Sequence, residues 1–93
     1  PDDRLAVREV RGEAPRWCGP PLDEPTRVQA QYRAHGDAVG AGIDPAPHRV
    51  TVTFDQPQRG VATGQTIALY DGDRVVGSAT IAATSRGLQQ VEP

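Results

Sequence analysis

Lysine and methionine are absent from the 93 residues, and cysteine occurs once. The lone Cys18 excludes an internal disulfide and a thiolate metal cage. A chain without disulfides fits a reducing compartment, so a cytoplasmic location is expected. The missing methionine, with Pro1-Asp2-Asp3 at the start, reads as a domain cut from a longer protein. No apolar run approaches the ~20 residues of a membrane-spanning helix, and no signal peptide is visible, so no membrane partner is expected. All ten basic residues are arginine, scattered from Arg4 to Arg86, and the formal net charge is −2. That balance excludes a nucleic-acid clamp built on bulk positive charge; any RNA contact has to be a local patch.

Aromatic residues are also scarce: Trp17, Tyr32, Phe54 and Tyr70. A chain this short buries only about 60–65% of its unfolded surface. These four, with Val, Ile and Leu, therefore carry a thin core. Helical periodicity is lacking throughout, and proline or glycine recurs every few residues. Alternation with period 2 is present instead. Val50, Val52 and Phe54 alternate with Arg49, Thr51 and Thr53, which marks a strand with one buried face. Asp55-Gln56-Pro57 is expected to stop it, because proline has no N–H for a ladder. A second run, Gln65 to Tyr70, follows Gly64. Asp71-Gly72 then signals a type I′ hairpin turn, with both central residues at positive φ. Val75, Gly77, Ala79 and Ile81 carry the next strand.

Upstream, Arg4 to Val10 alternates as a short strand that Gly12-Glu13-Ala14-Pro15 breaks. Thr26 to Ala34 has Val28, Ala30 and Tyr32 on one face and Arg27, Gln29, Gln31 and Arg33 on the other. Ala38 to Ile43 is a strand of small residues, and Asp44-Pro45-Ala46-Pro47 a loop. Six short strands with turn signals between them predict an all-β fold, a small antiparallel six-stranded barrel or sandwich, with closure removing exposed edges.

Residues for chemistry are few. His35 and His48 lie in turns and read as solvent-exposed, without companions at metal-ligand spacing. Cys18 beside Trp17 has no base near in sequence and reads as incidental or packing. Asp55, Asp71 and Asp73 read as turn formers. Gly36, Gly40 and Gly42 lack the strand-to-helix context of a phosphate cradle. No catalytic residue and no metal site is expected. What remains is the polar face of Thr26 to Ala34, whose arginine and glutamine suit phosphate, sugar and base contacts. From pattern alone an ordinary solvated strand face is the better reading.

One long motif goes further. Phe54, Asp55, Pro57, Gln58, Arg59, Val61, Gly64, Gln65, Tyr70, Asp71, Gly72, Val76, Gly77 and Ile81 stand in order and spacing as in the bacterial tRNA-specific 2-thiouridylases, the MnmA/TrmU family. An older name for that family is tRNA (5-methylaminomethyl-2-thiouridylate)-methyltransferase. Gln31-Tyr32-Arg33 sits where the family has Arg-Tyr-Arg, and Trp17 where it has the tryptophan that precedes its barrel. The resemblance covers about Leu5 to Ala82. It implies the family's C-terminal β-barrel, similar to domain 2 of translation elongation factors. Residues 1–25 would then be a lead-in from the central domain, 26–83 the barrel and 84–93 a flexible tail.

The resemblance also implies a parent enzyme that adenylates the wobble uridine of tRNA with ATP and magnesium and replaces O2 with persulfide sulfur from a donor protein. The ATP loop and both catalytic cysteines lie in the family's N-terminal part, and Cys18 corresponds to neither. No cofactor is expected in the fragment itself, which should be inactive alone and monomeric. By position the family's tRNA contacts become Gln31, Tyr32 and Gln65, with Arg33 the neighbour able to replace the charge lost where arginine has become Gln31. Thr63, Ser78 and Ala79 also depart from the family pattern. The alternatives are a purely structural barrel and an elongation-factor-like barrel of another translation-related protein.

Overall fold

The computed structural model describes residues 6–86. The start of the first predicted strand and most of the predicted tail, residues 87–93, lie outside them. Among the described residues there are six strands and no helix. They are β1 (Val7–Trp17), β2 (Thr26–Gln31), β3 (Val39–Ala46), β4 (Arg49–Gln58), β5 (Thr66–Asp71) and β6 (Arg74–Ser85). They close into a barrel in the order β1-β4-β3-β2-β5-β6, every neighbour antiparallel.

Period-2 alternation explains the core. Val28, Ala30 and Tyr32, then Val50, Val52 and Phe54, then Ile67 and Leu69 all point inward and are buried. Trp17 packs against this core from one end without being enclosed. No buried side-chain nitrogen or oxygen among the described residues lacks a hydrogen-bond partner.

Several expectations are corrected, the first of them because the sheet tolerates what a local reading treats as a stop. β1 runs through Gly12-Glu13-Ala14-Pro15 to Trp17 instead of ending near Val10. Its pairing with β6 slips between Arg11 and Gly12 and again between Glu13 and Arg16, and Ala14 adopts φ 52°. The second slip lifts Ala14 and Pro15 out of the ladder, so the proline's missing N–H breaks nothing. The first strand is thus a stave of the barrel, bonded to β4 and β6, rather than part of a lead-in.

β4 likewise continues past Asp55-Gln56-Pro57 to Gln58, and β3 takes in Asp44 and Pro45, opposite Thr51 and Val50. The tight turn after Asp71 has Gly72 and Asp73 at its centre, since Asp71 faces Arg74. Only Gly72 has positive φ, 64°, so the turn is of the II′ kind rather than I′. Finally, β6 has a register shift opposite Leu69/Tyr70. The extra residue turns Val76 inward and leaves Val75 42% exposed, against the alternation read from the sequence.

The strand directions sort the loops into two ends. One end gathers the start of β1, the β2–β3 connection (32–38), the β4–β5 connection (59–65) and the end of β6. The other holds residues 18–25 and the turns after β3 and β5.

Candidate nucleic-acid interface

Gln31, Tyr32, Arg33 and Gln65 all lie at the first of these ends. Three of the four direct their polar atoms into the protein. Gln31, the last residue of β2, donates from Nε2 to the Gly36 carbonyl at 2.7 Å. Its Oε1 accepts from the Tyr70 hydroxyl at 3.0 Å. It therefore ties β2 to β5 and to the following turn. Tyr32 keeps the strand's inward phase and is only 7% exposed, its ring tilted against Phe54 with centroids 5.8 Å apart. Its hydroxyl lies 3.0 Å from Gln58 Oε1 and 2.9 Å from the Arg59 carbonyl, sharing one proton between two acceptors.

Gln65 folds back on its own loop. Its Oε1 accepts from the Ala62 N–H at 3.0 Å and its Nε2 donates to the Gly60 carbonyl at 3.2 Å. The backbone of the same residue and of Gly64 bonds to Ile81 on β6. Gly60 (φ 78°) and Gly64 (φ 93°) supply the left-handed backbone that brings the loop round.

Arg33 differs. It is exposed, and its guanidinium carbon stands 5.5 Å from the Tyr32 ring centroid, within cation–π range. A methyl group on Gly36 would lie 3.4 Å from its Nε, and one on Gly60 would lie 3.7 Å from its Nη1. The side chain is thus laid between the two loops of this end. No carboxylate among the described residues pairs with it.

Sequence reasoning missed two contributors. Gln58 accepts from Tyr32 and donates from Nε2 to the Gln56 carbonyl at 2.8 Å. Its place in Pro57-Gln58-Arg59 was a signal, but its partner lies 26 residues away. Asp55 is the other. It is not a turn former: it sits in β4 and takes a two-pronged contact from Arg27 of β2, one prong 2.9 Å long. The Arg27 hydrogen bond, helped by the positive charges of Arg27 and Arg8, holds the Asp55 carboxyl below the usual carboxylate range. In turn Arg27 is held even more firmly protonated.

His35, His48 and Cys18 are exposed. No group of three or more His, Cys, Asp or Glu side chains is placed to hold a metal among the described residues. At the opposite end of the barrel an open groove runs between Trp17, Pro15, Pro21 and Pro47, with Glu13 and His48 at its edge. It contains no nucleophile–base pair.

Residues 7–81 match the aminomethyltransferase beta-barrel domain family. The chain belongs to it. Its relatives include the tRNA-specific 2-thiouridylase MnmA of Streptomyces coelicolor, 49% identical over 86 residues. The enzyme of the same name from Acidothermus cellulolyticus is 49% identical over 84 residues, and that of Beutenbergia cavernae 40% over 98. These matches cover 92%, 90% and 100% of this chain but only 23%, 23% and 26% of the relatives. The chain therefore spans about a quarter of the length of the enzymes it matches, and it corresponds to their C-terminal barrel.

Proposed function

We propose that this barrel is the tRNA-docking domain of a tRNA-uridine 2-sulfurtransferase. The parent would make 2-thiouridine at the wobble position, in the cytoplasm, with ATP and persulfide sulfur delivered by a donor protein. The observation that carries this reading is a match of 49% identity over 92% of the chain to a protein named for tRNA 2-thiolation. The barrel would serve the reaction as a monomeric module that binds substrate. Among the described residues no glycine-rich loop opens a helix, so they do not fit a triphosphate, and ATP would be held elsewhere in the parent. Gln31, Tyr32, Arg33 and Gln65 mark the end of the barrel that would meet the anticodon arm.

One observation favours a second reading, that of a barrel which only props its neighbours: Gln31, Tyr32 and Gln65 are engaged in internal hydrogen bonds. Photo-crosslinking of the full-length parent to tRNA separates the two. Docking predicts adducts within residues 32–38 and 59–65, whereas a prop predicts none in the barrel. The 93-residue chain alone should leave tRNA unthiolated when supplied with ATP and a persulfide donor.

A further inference from the structure

Four features converge on the loop-bearing end of the barrel. First, Arg33 is an exposed cation ordered over an aromatic ring without a carboxylate partner among the described residues. Second, the Tyr32 ring beneath it is fixed from both sides, by Phe54 in the core and by the bond of its hydroxyl to the Arg59 carbonyl. Third, the loop that flanks Arg33 is held by side chains as well as by backbone bonds of Gly64 and Gln65 to Ile81. Gln65 bridges Gly60 and Ala62, and Gln58 turns back to Gln56. Fourth, exposed charge is unevenly placed. Among the described residues, exposed Arg8, Arg33, Arg59 and Arg86 stand at this end with Asp37, while Glu13, Asp23, Glu24, Asp44, Asp71 and Asp73 lie toward the other with Arg16, Arg49 and Arg74. The arginines of the first end favour a polyanion there.

We propose that Arg33 is the side chain of this barrel that receives an RNA backbone phosphate, and that Tyr32, Gln58 and Gln65 are positioning residues that act through it. The proposal rests on the tRNA-docking reading and sharpens it. Of the residues at the motif positions, the glutamines and the tyrosine have their polar atoms satisfied inside the protein. The cation beside them does not. An arginine presents its donors as a fork that fits two phosphate oxygens. Ordering that fork in advance lowers the entropy lost on binding. Stacking on Tyr32 orders its plane, while Gly36 and the Gln65-held Gly60 leave room for it on either side. The glycine at 60 also keeps the approach open, since φ 78° disfavours any larger residue there.

The experiment is a salt titration of the affinity of the 93-residue chain for an unmodified tRNA transcript. Wild type should bind weakly, with affinity falling as salt rises. Arg33→Ala should weaken binding by roughly three- to tenfold at the lowest salt. It should also flatten the log–log slope by about 0.7–0.9, the loss of one phosphate contact. Gln65→Ala and Tyr32→Phe should weaken binding by roughly two- to fivefold with the slope unchanged, because they remove no charge.

Combined with Arg33→Ala, Gln65→Ala should add less than about a twofold further loss, as expected when one residue acts through the other. Equal losses from Gln65→Ala in both backgrounds would overturn the positioning role. So would a change in its slope. If wild type binds tRNA but Arg33→Ala keeps the full slope, this proposal fails while tRNA docking stands. If wild type shows no salt-sensitive binding, the docking reading fails and this one with it. Thermal melts show whether each variant is folded, and Arg33→Gln, which alters only the exposed head group, serves as the charge test should the alanine variant be unfolded.

Discussion

Asp55 receives its arginine from two strands away because the strand between them is bare. β3 lies between β2 and β4, and its outward positions beside this pair are Gly40 and Gly42. Arg27 sits opposite Gly42 and reaches across β3 to the carboxylate on β4. A methyl group at Gly40 would come within 2.5 Å of Asp55 Oδ2, so the carboxylate would have to swing away. Gly40→Ala should therefore raise the Asp55 pKa toward the ordinary 3.8 without unfolding the barrel, as followed by carboxyl-carbon NMR.

The lowered pKa has a stability consequence of fixed sign. A carboxyl whose folded pKa is depressed contributes stability that is present above its unfolded value and lost as pH falls through the folded one. The wild-type urea midpoint should thus decline below about pH 4. Asp55→Asn should lack that component of the decline, which is small because the pair is exposed. Little of this was legible in the chain. Asp55 reads as a turn former when Pro57 is taken as a stop, and its partner is 28 residues away.

At the scale of elements, β1 and β6 show how far a strand can depart from simple alternation and still serve. Two register slips in their pairing carry β1 past Pro15 and let Trp17 face Gly77 across the ladder. Gly77 has no room for a side chain. A Cβ there would meet Trp17 Cε3 at 2.7 Å and the Arg16 carbonyl at 2.8 Å. One obstacle is a packed ring and the other is backbone, so neither yields easily. Gly77→Ala should destabilise the chain by about 1–3 kcal/mol, the usual penalty of overpacking, read from the urea midpoint at constant m-value. Gly77 stood out in the sequence as part of a motif, but the reason for it lies on β1, some sixty residues earlier in the chain.

At the scale of the molecule, closure makes the first strand indispensable. β1 bonds to β4 on one side and β6 on the other, and it contributes Val7 and Val10 to the core. Removing residues 1–18 would expose two long edges and uncover the buried ends of Val50, Val52 and Ile81. We expect a chain starting at Gly19 to lose dispersed amide NMR signals and cooperative unfolding. A truncated chain that melts with the wild-type transition would refute the assignment of β1 to the barrel. The expected weight of β1 also reflects the small size of the core, in which a lost stave has no second layer behind it.

Period 2 in Val50–Phe54, Val28–Tyr32 and Ile67–Leu69 determined the inward faces, because alternation is a property of the strand alone. The sequence also determined the family, because order and spacing survive without coordinates. Tertiary structure decided the rest. It set where bulges shift the phase, so that Val76 rather than Val75 is buried. It made the first strand part of a closed wall, and it brought Tyr32, Gln58 and Gln65 together around two carbonyls of one loop. Closure and the Tyr32–Gln58 contact depend on pairing between segments far apart in the chain. There a hydrogen bond or a packed side chain supplied by another strand outweighs the local preference of a proline or glycine.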